Sequence, residues 1–254
     1  MSDSGSDPRS WGRRIGRSWL GRLPRGHLDR TSTLVEIGPG FSAKVGFALA
    51  ELGFQGSVIL IEPNGPARSW AAETYCALLP GASVRTVPCP VPEAGPLAGI
   101  TVDLLLGNHI LDDLLLNAYL AYLESADADR IFSGMYPGAG CCEKFIAIWQ
   151  QLGGAGGTVA ELVDDVVEGF AAYVNAVQPA CLVLNEYASW LHRRCGLDVI
   201  HEVSLQAMRR LQDRLARDRP AAAPPRLAQD GPMFWLSYEI SSARRTRAAL
   251  NYAG

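Results

Sequence analysis

The chain has 254 residues, 48% of them hydrophobic, enough for one sizeable buried core. Its 23 basic and 26 acidic side chains sum to −3, which argues against a surface devoted to gripping nucleic acid. No apolar run reaches the length that spans a bilayer and no signal-peptide stretch opens the chain, so a cytoplasmic protein is expected.

Residues 1–30 read as a tail followed by a basic amphipathic helix over 8–23, with Trp11, Ile15 and Trp19 at helical spacing among arginines. That helix is expected to pack its tryptophans on the core. From residue 31 the chain alternates strand and helix. An apolar strand over 34–37 leads through "GPG" into a helix over 42–52, with Gly53 placed to end it. "SVILIEPN" is a second strand, followed by a helix over 66–79 opened by Pro66. "SVRTV" is a third strand and "VDLLLGNH" a fourth, with a helix over 112–123 behind it.

A segment bracketed by glycines, about 134–157, contains an apolar helical piece and is expected to form a lid inserted in a single domain spanning 31–254. Thr158 and Glu161 form a T-x-x-E pattern that predicts a capping box at the start of the next helix. That helix ends at Pro179. "ACLVLNEY" is a fifth strand, then a short helix is expected over 187–195. "LDVIHEV" and "MFWLSYEI" read as two further strands, separated by a charged helix and a Pro/Ala linker. The alternation predicts an α/β fold: a doubly wound, mainly parallel sheet covered by helices on both faces, with ligands at the carboxyl ends of its strands.

The six cysteines form no C-x-x-C pair, so neither a zinc site nor a disulfide framework is indicated, and no metal is expected. Chemistry concentrates elsewhere. Gly38 and Gly40 let the backbone approach a ligand, and Glu62 follows Gly40 by 22 positions at the end of the second strand. An acid at that spacing holds the ribose hydroxyls of a nucleoside. Dinucleotides and S-adenosylmethionine both fit such an acid. The third glycine position of a dinucleotide turn is Ala43, an accepted variant, so an NAD(P)-dependent oxidoreductase is the more distant alternative. Glu36, just before the turn, decides between them: it repels a pyrophosphate and attracts an ammonium and a sulfonium.

"VEIGPGFS", "ILIEPN" and "DLLLGNHILDD" together resemble class I S-adenosylmethionine-dependent methyltransferases, over roughly residues 30–240. The resemblance implies a seven-stranded sheet whose last strand runs antiparallel beside the fifth, with S-adenosyl-L-methionine as cofactor. It implies that Glu36, Gly38, Pro39 and Gly40 line the methionine portion and that Glu62, Pro63 and Asn64 meet the nucleoside. Adenine falls to the "VPCP" region with Cys89, where the family usually has a polar side chain. Asn108 and His109, after the fourth strand, then face the methionine end and the acceptor.

The candidates for removing a proton from an acceptor are His109, Asp112, Asp113 and Glu186, with His109 suited by its ordinary pKa. The acids at 112 and 113 also suit a helix N-terminus. Tyr136, Glu143, Phe145, Trp149 and Tyr187 are candidates to shape a substrate pocket. His27, His192 and His201 read as structural. The chain lacks the D/N-P-P-Y run of nucleobase amino-methyltransferases, so the expected acceptor is O or N of a small, partly apolar metabolite. A protein or RNA methyltransferase, and a non-catalytic cofactor-binding scaffold, are the alternatives.

Overall fold

The computed structural model describes residues 8–91, 95–123, 143–154, 156–189, 192, 195–218 and 223–239. Helix α1 (Pro8–Leu20) precedes β1 (Thr33–Ile37), α2 (Lys44–Glu51), β2 (Ser57–Ile61), α3 (Gly65–Leu78), β3 (Ser83–Val87), β4 (Leu104–Asn108) and α4 (Leu111–Tyr122). Then come α5 (Glu143–Gly154), α6 (Gly157–Val177), β5 (Cys181–Tyr187), α7 (Asp198–Asp218), β6 (Arg226–Asp230) and β7 (Met233–Glu239). The strands form one seven-stranded sheet in the order β3-β2-β1-β4-β5-β7-β6. Strands β1 to β5 pair in parallel, and β7 runs antiparallel to both β5 and β6.

Alternate side chains of the inner strands feed two cores, as the pleat dictates. Leu34, Val58, Leu60, Leu104, Leu106 and Val183 pack toward α1, α2 and α3. Val35, Ile59, Leu105, Leu182 and Leu184 pack toward α4, α5, α6 and α7. Strand β4 is buried along its whole length, the mark of a central parallel strand with helices on both sides.

Helix α1 joins the first core through Ile15 and Trp19, which are 1% and 0% exposed. Its approach to α2 is close: a Cβ on Gly16 would stand 2.8 Å from the Lys44 carbonyl oxygen. The arginines at 13 and 17 face outward.

Four sequence expectations are corrected. "LDVIHEV" is not a strand but the beginning of α7. Its β-branched residues suggested a strand in a seven-residue window. Over the longer span, Ile200, Ser204, Ala207, Met208, Leu211 and Leu215 are buried at helical spacing, while Val199 is 54% exposed. The sixth strand is instead "RLAQD", taken for part of the linker. It is a mostly exposed edge strand with no apolar pattern of its own, held by pairing with β7 across the Gly231 turn. The T-x-x-E pattern is no capping box: α6 begins one residue before Thr158, with Gly156 at the N-cap and no side-chain cap. Residue 187, expected to open a helix, closes β5.

Candidate functional site

The glycine turn after β1 is drawn against the end of β2. Gly38 and Gly40 take φ of +59° and +58°, a backbone region that side-chain-bearing residues rarely enter. The Gly38 N–H donates to the Ile61 carbonyl, and the Gly40 N–H to Glu62 Oε2 at 3.0 Å. Glu62 Oε1 accepts from the Asn64 N–H at 3.0 Å, so one carboxylate ties both turns together. Burial raises the Glu62 pKa, although these two N–H groups oppose the shift. Asn64 is the N-cap of α3, its side chain accepting from the Ala67 N–H, and Pro63 is exposed.

Glu36 lies inside the first core, 1% exposed. It accepts a short hydrogen bond from the Tyr75 hydroxyl, which itself accepts the Gly46 N–H at 2.9 Å. Only glycine suits position 46, since a Cβ there would stand 2.9 Å from the Tyr75 ring. Burial pushes the Glu36 carboxyl up to about 7, against the pull of Tyr75 and Lys44. Lys44 opens α2 beside Tyr187, with its Nζ 5.7 Å from the ring centroid, and feels the charges of Asp112 and Asp113. Ser42 Oγ is buried without a hydrogen-bond partner among the described residues.

Beyond β4 the site divides between the two faces of the sheet. On the α1–α3 face, Asn108 Oδ1 accepts the Trp19 indole N–H at 3.0 Å, and Asn108 Nδ2 approaches the Tyr187 hydroxyl at 3.4 Å. On the α4–α7 face lie His109, Asp112, Glu186 and His192. His109 has φ of +57°, a left-handed conformation that turns its ring back toward α4. Gly107 makes room for that turn, since a Cβ there would meet Ile110 and Leu184 below 3.0 Å.

His109 Nδ1 stands 2.8 Å from Asp112 Oδ2 and 3.4 Å from Glu186 Oε2. His192 Nε2 lies 3.7 Å from the same Asp112 oxygen. Glu186 Oε1 accepts the Leu111 N–H at 2.8 Å and so anchors the start of α4. Tyr187 meets the His109 ring edge-on at 4.6 Å between centroids, and Trp149 tilts against His192 at 5.1 Å. Burial raises Glu186 and Asp113 well above the carboxylate range, with the Asp112 charge adding to each. Burial opposes the Asp112 charge too, but His109 and His192 outweigh it and hold that carboxyl low. Burial brings His192 down to about 4.

The structure therefore brings Asn108, His109, Asp112, Glu186 and Tyr187 to one end of the sheet, with the Gly38–Gly40 turn and Glu62 beside β1 and β2. Cys89 is buried on the α4–α7 face near Tyr173, leaving the exposed Pro88 and Pro90 on either side. Trp149 is 2% exposed, a wall behind His192 rather than an open pocket surface. Tyr136 lies outside the described residues, as do the side chains of Glu143 and Phe145 in the first turn of α5.

Sequence reasoning missed Lys44, Trp19 as a partner of Asn108, and His192. Lys44 was within reach, since it follows the glycine turn directly. Nothing local marks His192. No helix of the described residues is long and apolar enough to cross a membrane.

With this geometry in place, solved structures supply the comparison. An O-methyltransferase family protein from Burkholderia thailandensis superposes with a TM-score of 0.50 at 13% identity, over 92% of this chain and 58% of that one. The small RNA methyltransferase HEN1 superposes with a TM-score of 0.50 at 10% identity, over 96% of this chain and 27% of that one. The chain has the class I methyltransferase fold. It spans little more than half of the first of these proteins and about a quarter of the second. No protein-family model and no curated protein sequence matches it.

Proposed function

We propose that the protein is an S-adenosylmethionine-dependent methyltransferase acting on a hydroxyl, or secondarily an amine, of a small and partly apolar molecule. The observation that carries this reading is the Gly38–Gly40 turn held by Glu62 at the carboxyl ends of β1 and β2. Each Glu62 oxygen accepts one backbone N–H and keeps a lone pair for a ribose hydroxyl. Glu62, beside the glycine turn, disfavours a pyrophosphate and favours a ligand bearing a sulfonium and an ammonium. Lys44 is available to the methionine carboxylate, and the bare Ser42 hydroxyl supplies a further polar contact.

The cofactor supplies an electrophilic methyl group for in-line displacement. The chain's task is to align the acceptor, exclude water and take up its proton. Asn108 and Tyr187 bound the transfer point on one face, and His109 with Asp112 and Glu186 on the other. Two carboxylates around one imidazole nitrogen are more than a neutral amine acceptor needs, which supports a hydroxyl.

Calorimetry with S-adenosylhomocysteine tests the cofactor. One molecule should bind per chain, and Glu62→Ala should weaken binding by about 1–3 kcal/mol, the scale of lost hydrogen bonds to a charged group. Binding of NADH in its place would end this reading. With an acceptor in hand, Asp112→Asn should lower kcat by about 10²–10⁴-fold and leave cofactor affinity nearly intact.

A further inference from the structure

The donor atoms of four side chains, three of them buried and His109 half-buried, converge at the ends of β4 and β5. Asp112 Oδ2 and His109 Nδ1 are 2.8 Å apart; His192 Nε2 stands 3.7 Å from the former and Glu186 Oε2 stands 3.4 Å from the latter. Ligand atoms of His109, Asp112 and His192 all lie within 4.8 Å of one another. Around a first-row divalent ion with bonds of about 2.1 Å, two ligands are separated by about 3–4.2 Å. The three neighbouring spacings of 2.8, 3.4 and 3.7 Å lie within a few tenths of an ångström of that range.

Hydrogen bonding within the cluster leaves it incomplete. The 1% exposed Glu186 has one oxygen on the Leu111 N–H, but its Oε2, 3.4 Å from His109 Nδ1, has no hydrogen-bond partner among the described residues. A buried carboxyl oxygen without a hydrogen bond costs free energy that a cation recovers when it displaces the proton. Asp112 and Glu186 bring two acids together on one nitrogen of His109. We infer that His109, Asp112, Glu186 and His192 form a site for one divalent transition-metal ion.

Two imidazoles with two carboxylates suit Zn²⁺, Co²⁺ or Mn²⁺ over Mg²⁺, which favours oxygen ligands and retained water. The surroundings fix the rings: Tyr187 against His109, Trp149 against His192. The Ser189 N–H points at His192 Nδ1 at 3.1 Å, the arrangement of a metal-free ring that carries its proton on Nε2. Ser189 Oγ is 3.3 Å from the same Nδ1 and can accept a proton there, which frees Nε2 for the ion. At the acceptor end of the proposed transfer site, such an ion would bind a hydroxyl oxygen and lower its pKa. That consequence rests on the methyltransferase reading; the binding itself does not.

The test uses the full chain, stripped with chelator and titrated with Co²⁺, Zn²⁺ and Mg²⁺, followed by calorimetry and by Co²⁺ visible absorption. One Co²⁺ or Zn²⁺ should bind per chain, at least about 10-fold tighter than Mg²⁺. Asp112→Asn should weaken it by about 100-fold or more. His192→Phe should do the same while keeping the ring packing, with circular dichroism reporting the fold. Absence of stoichiometric binding by the unaltered chain overturns the inference, as does equal binding by a folded His192→Phe variant. Metal binding without S-adenosylhomocysteine binding would support the ion and defeat the methyltransferase reading. The reverse result would defeat the ion alone.

Discussion

Trp19→Ala is expected to destabilise the protein by about 3–5 kcal/mol, the range for removing a fully buried aromatic ring. Trp19 is 0% exposed and meets Trp235 edge-on at 4.9 Å, joining α1 to the strand that completes the sheet beside β5. The substitution also leaves Asn108 Oδ1 without its donor at the carboxyl end of β4. Trp19→Phe separates the two effects. It keeps most of the packing and removes the N–H, so it should cost about 1–3 kcal/mol, mainly from the unsatisfied buried carbonyl. Denaturant unfolding at constant slope measures both. A loss below about 1 kcal/mol for Trp19→Ala would mean that α1 is dispensable to the core, against the large cost of emptying such a site.

The second large effect depends on pH. Burial raises the Glu36 carboxyl from an ordinary 4.5 to about 7. Between those values the folded chain binds more protons at this group than the unfolded chain, so stability falls as pH rises through the window. Above it, the buried charge costs on the order of 3 kcal/mol relative to acid conditions. Glu36→Gln removes the charge and keeps an oxygen for the Tyr75 hydroxyl. The variant should gain roughly 2–3 kcal/mol at pH 8 and almost nothing near pH 4.5. Urea unfolding at the two pH values checks it. An equal effect at both would show that Glu36 titrates alike in both states.

Much of the fold was legible because its signals are local. The short run over 34–37 closed by G-P-G needs no distant partner to be read as a strand and a tight turn. Gly53 at φ +66° ends α2 where the periodicity stops, and Asn64 caps α3 beside Pro66. The errors share a cause. Strand β6 carries no apolar alternation because it is a mostly exposed edge, and it exists through its pairing with β7. The start of α7 was misread because four apolar residues in a seven-residue window fit a strand until the buried stripe is followed for about six turns.

The site shows the same division. The residues of the glycine turn and Glu62 are related by spacing along one β-α-β unit, so their meeting follows from the chain itself. The sequence by itself therefore determined the α/β class, the glycine turn and the acids near it. Only the tertiary structure decided which side chains meet across the sheet. Trp19 reaches Asn108 from 89 positions away because α1 packs on α2 over Gly16. His109 reaches Glu186 and His192 because β4 and β5 are neighbours in the sheet, and strand order is a property of the whole packing. Local pattern cannot encode that order. It is set by burying both faces of seven strands at once, and the convergent donor atoms at the ends of β4 and β5 are its product.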